Sequence, residues 1–373
     1  MTALRYAIAG RHKPFEMFYA QPDDFDRGPG IEISPSIVLT EPGWSPYCVD
    51  PDTREIVFVR VPSPEQLLRD PFYLVTQFHA ADAVLTMSFG DALALATSLP
   101  DPKSILIFSM GRCGTTLVSH ALNGPPNVAS FSEPGVFQHR PWMALEGREP
   151  GVVAPLLRAV NRLLFAAHRA PGIDTVALKL QSQALFVAKS FWNTFPEASY
   201  VFMYRDAIGW GNSFLQFTQD VGIPLPLDEA GRAMHWMMIS GDHPIEVLGH
   251  YVDLNELPAN NARMFAPAWT LHMAEYQRLR EAGVPFMALR YNELIADRAG
   301  ELRRLFDHCG ISHDFLDAAL AAFDEDSQKG TPIERKGTKR TFTPEELVVY
   351  RETLAKEPAL ADPDLILSDI YSR

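Results

Sequence analysis

Residues 110–116, with the sequence MGRCGTT, place two glycines, an arginine and two hydroxyl side chains in one short turn. The turn follows an apolar run at 104–108 and precedes a segment with the pattern of a helix start. Because glycine lacks Cβ, backbone N–H groups can close around an anion, and a helix N-terminus adds partial positive charge. The pattern predicts a phosphate-binding loop built from Gly111, Arg112, Cys113, Gly114, Thr115 and Thr116.

Arg205 and Ser213 could bind a second phosphate, and a further segment is unusually basic. Arg205 follows the apolar run 199–204, which reads as a buried parallel strand, and open α/β sheets bind ligands at that end of their strands. Ser213 lies about two helical turns further on, on roughly the same face of the predicted helix. The segment 329–340 is rich in basic residues, although the chain as a whole carries a net charge of −13.

Taken in this order, the three segments resemble the donor-binding motifs of sulfotransferases that use 3′-phosphoadenosine 5′-phosphosulfate (PAPS). The turn is similar to their 5′-phosphosulfate loop, and Arg205 with Ser213 is similar to their 3′-phosphate motif. Three further residues resemble the family's C-terminal loop: Arg335, Lys336 and Gly337. The resemblance spans residues 103–357. It implies that PAPS is the co-substrate, that adenosine 3′,5′-bisphosphate (PAP) is released, and that no metal takes part.

The resemblance also implies roles in the transfer of a sulfuryl group to a hydroxyl or amine of a small acceptor. Arg112 is expected to stabilise charge on the leaving phosphate oxygen, and Lys179 to face the donor. Many cytosolic members carry a histidine base where this chain has Gln181, so Glu133 is the candidate base. Alternatively, Glu133 caps a helix or pairs with an arginine such as Arg140.

Three further residues have more than one possible role. His235 and His272 are reserve candidates for the base, although buried histidines more often serve packing. Cys113 stands where the family mostly has serine. A helix N-terminus and Arg112 would lower the pKa of its thiol and make it reactive, whereas a buried thiol would only fill space.

Two other classes of function remain possible. A kinase of a nucleotide or metabolite would also use a glycine loop, and Asp206 could then hold Mg²⁺. The spacing of Gly111 and Gly114, with no lysine after Gly114, differs from the G-x-x-x-x-G-K-[ST] loop of such enzymes. A protein that binds PAPS or PAP without catalysis is expected if Glu133 points elsewhere.

The pattern of elements predicts an α/β fold, with a parallel central sheet and flanking helices. The domain 103–373 carries the motifs, and residues 1–102 form an extension that is β-rich to about residue 62 and helical over 65–98. Segment 219–262 is expected to form acceptor-site loops or a lid. The strands are expected at 105–109, 128–131, 176–180, 200–204 and 285–290. The helices are expected at 151–168, 182–195, 206–218, 267–283, 299–309, 313–323 and 344–356.

Composition limits the partners and the location. A net charge of −13 argues against general nucleic-acid binding, which needs a basic surface. The three cysteines show no C-x-x-C spacing, which predicts a reducing compartment without disulfides or a zinc site. With no leader pattern and no run of apolar residues long enough to span a membrane, the expected location is the cytoplasm. The sequence leaves the acceptor and the oligomeric state open.

Overall fold

The computed structural model describes residues 2–14, 19–221, 228–254, 262–324, 331, 334 and 340–367. Within these ranges the chain forms two β-sheets with helices packed around them. The predicted basic loop residues Arg335, Lys336 and Gly337 lie outside the described residues.

The first sheet is antiparallel and is built from the N-terminal part of the chain. Its strand order is β2-β1-β6-β5-β4, with β3 paired to β1. The strands are β1 (Ala3–Arg11), β2 (Phe25–Arg27), β3 (Ile31–Ile33), β4 (Trp44–Asp50), β5 (Glu55–Arg60) and β6 (Ala83–Ser88). The helices are α1 (Ile37–Thr40), α2 (Gln66–Arg69), α3 (Tyr73–Ala80) and α4 (Phe89–Ala96). The β-rich extension is therefore confirmed.

The expectation of only helices over 65–98 is wrong, because β6 occupies the middle of that segment. Strand β6 pairs with both β1 and β5, and Val84, Leu85 and Met87 are buried. A central strand covered on both faces has a nearly continuous apolar sequence. Its periodicity therefore does not distinguish it from a buried helix.

The second sheet is the predicted parallel sheet. Its strands are β7 (Lys103–Ser109), β8 (Val128–Ser132), β9 (Thr175–Lys179), β10 (Ser199–Tyr204) and β11 (Phe286–Arg290). The order is β11-β10-β7-β9-β8, and all neighbouring pairs are parallel. All five carboxyl ends therefore meet at one edge, where the predicted loop, Glu133, Lys179 and Arg205 lie.

Helices flank the parallel sheet, and the predicted ones occur at or near the expected positions. They are α5 (Thr115–Ala121), α6 (His139–Arg148), α7 (Pro150–Ala167), α8 (Ala188–Thr194), α9 (Ala207–Asp220), α10 (Glu229–Ser240), α11 (Ile245–Leu248), α12 (Ala262–Glu281), α13 (Tyr291–Ala296), α14 (Arg298–Cys309), α15 (Leu316–Ala321) and α16 (Pro344–Leu354). Helices α6 and α13 were not predicted from the sequence, and two further differences stand out. A 3₁₀ helix, Ser182–Val187, precedes α8, and segment 219–262 contains helices α10 and α11 rather than loops alone.

In the described part of the chain, one helix is long and apolar enough to cross a membrane by length and composition, namely α7. Its buried residues include Leu156, Leu157, Val160 and Leu164. It packs against α4, α6 and α8, as a core helix of a folded domain does.

The two sheets share one continuous apolar core. Strand β4 packs against α7 and against the 3₁₀ turn Gly135–Phe137, which follows Glu133 by two residues. A Cβ atom on Gly135 would lie 2.8 Å from the backbone oxygen of Tyr47, so glycine is required for this close approach. The N-terminal sheet therefore supports the chain beside the candidate base. The division of the chain at residue 103 stays a prediction.

Candidate functional site

The glycine turn after β7 has the backbone conformation that an anion-binding loop needs. Gly111, Arg112 and Gly114 have φ angles of 71°, 51° and 81°, which lie in the left-handed region. The backbone N–H of Gly111 donates to Ser109 Oγ at 3.2 Å. Trp210 on α9 donates its indole N–H to the carbonyl oxygens of Met110, at 3.1 Å, and of Gly111, at 3.0 Å. Helix α9 therefore holds the loop in place.

Tyr291 packs directly against the loop, although no motif in the sequence predicts this contact. A Cβ atom on Gly114 would lie 2.6 Å from the Tyr291 ring, so both space and φ require glycine there. The guanidinium carbon of Arg205 lies 4.5 Å from the centre of the same ring. Tyr291 therefore connects the loop to Arg205. Its position immediately after β11, at the ligand edge of the sheet, was the available signal.

The structure brings the two predicted phosphate motifs together. Arg112 Nε donates to Ser213 Oγ at 3.3 Å, and the Arg112 guanidinium carbon lies 5.5 Å from the centre of the Phe217 ring. Arg205 directly follows the last residue of β10, and its Nε lies 3.7 Å from Asp206 Oδ2. Among the described residues no group hydrogen-bonds the buried Arg205 Nε. A donor without a partner at this edge is suited to an anionic ligand.

The chain that follows the predicted 335–337 loop lies on α9. The backbone N–H of Arg340 donates to Gln216 Oε1 at 2.6 Å, and that of Phe342 donates to Asn212 Oδ1 at 2.7 Å. These two acceptors lie on either side of Ser213 in the sequence. Neither amide could be predicted from the sequence, because an amide side chain on a helix has no distinctive spacing. Helix α9 therefore anchors the chain next to the predicted basic loop.

Lys179 and Glu133 form a hydrogen-bonded ion pair between Nζ and Oε1. Lys179 is the last residue of β9, and Glu133 follows the last residue of β8. The backbone N–H of Glu133 donates to the carbonyl oxygen of Lys179 at 2.7 Å, and Glu133 has a φ of 58°. The alternative pairing with Arg140 is wrong, because Arg140 Nη2 donates instead to Asp242 Oδ1 at 2.7 Å.

Cys113 is buried, and its thiol donates to the carbonyl oxygen of Met203 at 3.3 Å. Burial raises the pKa of the thiol to about 12, although the charges of Lys179 and Arg205 act in the opposite direction. Of the two alternatives, the reactive thiol with a low pKa is therefore wrong, because the cost of burying a thiolate exceeds the attraction of nearby cations. The side chain points to β10 as a small core residue.

The two reserve histidines are buried as neutral groups. Burial lowers the pKa of both His235 and His272 to about 4. His272 Nδ1 donates to the carbonyl oxygen of Ala268 at 2.9 Å, and the His235 ring packs on Phe265 with centres 5.7 Å apart. Neither histidine shows a bond to the loop or to Lys179 in the described structure.

The chain belongs to the sulfotransferase family, because the model of the sulfotransferase domain matches residues 102–351. No curated relative matches the chain by sequence. Similar solved structures include the sulfotransferase domain from the curacin biosynthetic pathway, with 14% identity and a TM-score of 0.41 over 70% of this chain and 98% of that one. A sulfotransferase from Alicyclobacillus acidocaldarius has the same identity and score over 72% of this chain and 98% of its own. Mouse sulfotransferase SULT7A1 complexed with PAP has 12% identity and a TM-score of 0.36 over 81% and 93%.

Proposed function

We propose that this protein transfers a sulfuryl group from PAPS to a hydroxyl or amine of a small acceptor and releases PAP. Membership of the sulfotransferase family supports this proposal. The observation that carries it is the bond between Arg112 and Ser213, which joins the two motifs assigned to the ends of the donor. A donor with phosphate groups at its 5′ and 3′ positions would need both motifs at one site.

In this reaction the acceptor oxygen or nitrogen forms a bond to sulfur while the bond between sulfur and the 5′-phosphate oxygen breaks. The acceptor proton passes to the carboxylate of Glu133. Negative charge grows on the leaving oxygen, where we place Arg112 and the N–H groups of the loop. By analogy with phosphoryl transfer, alignment and electrostatic stabilisation supply most of the rate enhancement.

The remaining proposed contacts concern the donor. Thr115 and Thr116 provide hydroxyl groups to the 5′-phosphate, and Arg205 and Ser213 contact the 3′-phosphate. Arg335, Lys336 and Gly337 lie outside the described residues, and we propose from the sequence that this loop adds positive charge to the donor site. Because Arg112, Lys179, Arg205 and this loop together match the charge of the bisphosphate, we propose that no metal is needed.

Two alternatives are weaker. In a kinase Asp206 would hold Mg²⁺, but here its Oδ1 accepts from the backbone N–H of Gly209 at 2.6 Å and caps α9. A protein that only binds PAPS would not need Glu133, whereas this carboxylate bonds to Lys179 close to the loop.

We also propose a cytoplasmic location and no nucleic-acid partner. All three cysteines are free thiols.

Thermal-shift measurements with and without Mg²⁺ test the proposal. PAP should raise the melting temperature in the presence of EDTA, because ligand binding to the folded state stabilises it. Stabilisation by ATP only with Mg²⁺ would favour a kinase. A panel of phenols, alcohols and amines incubated with labelled PAPS then tests transfer. Binding of PAP without transfer to any acceptor would favour a binding protein.

A further inference from the structure

Lys179 lies between the candidate base and the phosphate loop. The register of the parallel sheet pairs Lys179 with Ser132 on β8 and with Ile107 on β7. Glu133 follows Ser132 directly, and the glycine turn begins soon after Ile107. The β8-β9-β7 order of the strands therefore places Lys179, at the end of β9, between Glu133 and the glycine turn.

The loop approaches this lysine closely. A Cβ atom on Gly111 would lie 3.5 Å from Ser182 Oγ, three residues beyond Lys179. The positive charge of Lys179 also acts on the thiol of Cys113 inside the loop. Lys179 is only 3% exposed. An ammonium group has three N–H donors, and the described structure shows one hydrogen bond, to Glu133.

We propose that Lys179 exchanges partners when the donor binds. It holds the Glu133 carboxylate in the donor-free protein and turns to the anionic 5′ end of the donor in the complex. This inference rests on the proposed function. In the donor-free protein the hydrogen bond from Lys179 occupies Glu133 Oε1. Donor binding therefore releases the base, and Lys179 couples the two events as a positioning residue.

A double-mutant cycle on PAP affinity tests the exchange without requiring an acceptor. Calorimetry compares the wild type with Lys179→Met, Glu133→Gln and the double variant. Lys179→Met should weaken PAP binding about tenfold or more, because a charged hydrogen bond is lost. Glu133→Gln should tighten PAP binding, because Lys179 no longer shares a carboxylate. In the Lys179→Met background, Glu133→Gln should leave PAP affinity unchanged. The two substitutions should therefore be coupled by a factor on the order of ten in PAP affinity.

Equal effects of Glu133→Gln in both backgrounds would overturn the inference, because they would show only repulsion between the carboxylate and the donor. If the wild type binds PAP but the effects of the two substitutions are additive, the exchange is excluded and the proposed function still stands. Absence of PAP binding to the wild type would overturn both. A purely structural role for the pair predicts a lower melting temperature and no tighter binding in Glu133→Gln.

Three variants serve as controls for misfolding and for the general effect of removing a lysine. Lys179→Arg keeps the charge and should retain most of the coupling, and the double variant contains no unpaired charge at this position. Lys103→Met is the matched control, because it removes an exposed lysine at the opposite edge of the same sheet. If Lys179→Met does not fold, the cycle is repeated with Lys179→Gln, and unchanged or weaker PAP affinity of Glu133→Gln would still contradict the proposal.

Discussion

Arg112 and Glu133 are two of the four non-glycine residues with a left-handed backbone among the described residues. Such conformations cost free energy and persist only where the surrounding structure enforces them. Arg112 lies in a loop tied to Trp210, and Glu133 is held by a backbone bond to Lys179. Both residues are proposed to act directly in sulfuryl transfer, so the strained backbone lies where the chemistry is proposed to take place.

Replacing Glu133 with glutamine tests the proposed base. The variant keeps the side-chain shape and should fold, but kcat should fall by about 10²-fold or more, because general-base catalysis contributes on the order of 10²–10⁴. Single-turnover transfer from labelled PAPS measures the chemical step. Glu197→Gln is the control, because this carboxylate is exposed and pairs with Arg158 far from the loop. Near wild-type turnover would assign the base to another group.

Substitutions of Arg205 and Ser213 by alanine test the 3′-phosphate site. Both variants should bind PAP more weakly, and Arg205→Ala should show the larger loss, because a charge-assisted bond is about twice as strong as a neutral one. Calorimetry with PAP and with adenosine 5′-phosphate separates the two ends of the donor. Equal losses for the two ligands would show that these residues do not contact the 3′-phosphate.

The Cys113 thiol should be unreactive in the folded protein. Its pKa of about 12 keeps it protonated at neutral pH, and burial blocks reagents. Mass spectrometry should find slow alkylation of Cys113 without denaturant and fast alkylation in urea. Between pH 9 and pH 12 the unfolded chain loses a proton that the folded protein keeps, so stability should fall as pH rises. Fast modification of Cys113 at pH 7, slowed by PAP, would contradict this account.

Helix α9 organises the site through side chains on successive turns. Trp210 bonds the loop carbonyls, Ser213 bonds Arg112, and Asn212 and Gln216 bind the segment at 340–342. A single helix thus fixes the positions of two segments that are far apart in sequence. We expect disturbances of α9 to alter donor affinity more than they alter the fold.

Trp210→Phe isolates this anchoring function. The phenyl ring retains most of the packing but cannot donate to the Met110 and Gly111 carbonyls. Because each lost hydrogen bond contributes about 0.5–1.5 kcal/mol, PAP affinity should fall severalfold. Trp192→Phe, at a half-buried tryptophan that packs under Lys189 away from the loop, is the matched control. PAP affinity equal to that of the wild type would show that the loop does not depend on α9.

The sequence predicted the elements that carry local patterns. The strand-turn-helix around residue 111 and the parallel strand before Arg205 were readable because glycine spacing and apolar runs report local conformation. The pair of Lys179 and Glu133 was not readable, because it depends on β9 lying between β7 and β8 in the sheet. The sequence could not decide between a reactive and a buried Cys113 thiol, because burial is a property of the folded chain.

At the scale of the molecule, the N-terminal sheet is part of the support of the site. The Arg140 guanidinium carbon lies 4.2 Å from the centre of the Tyr19 ring, and Arg140 also binds Asp242 at the end of α10. The N-terminal region, α6 and α10 therefore meet in one cluster, a few residues from Glu133. Because the two sheets share one core, the N-terminal residues are expected to be needed for the fold around the base.

A crystal structure of the protein with PAP, grown in the presence of EDTA, tests the central claim most directly. The account predicts the 5′-phosphate against the N–H groups of the loop at 110–116 and the 3′-phosphate between Arg205 and Ser213. Lys179 should then point toward the 5′ end of PAP. PAP bound elsewhere, or bound in the reverse orientation with its 3′-phosphate in the loop, would contradict the account.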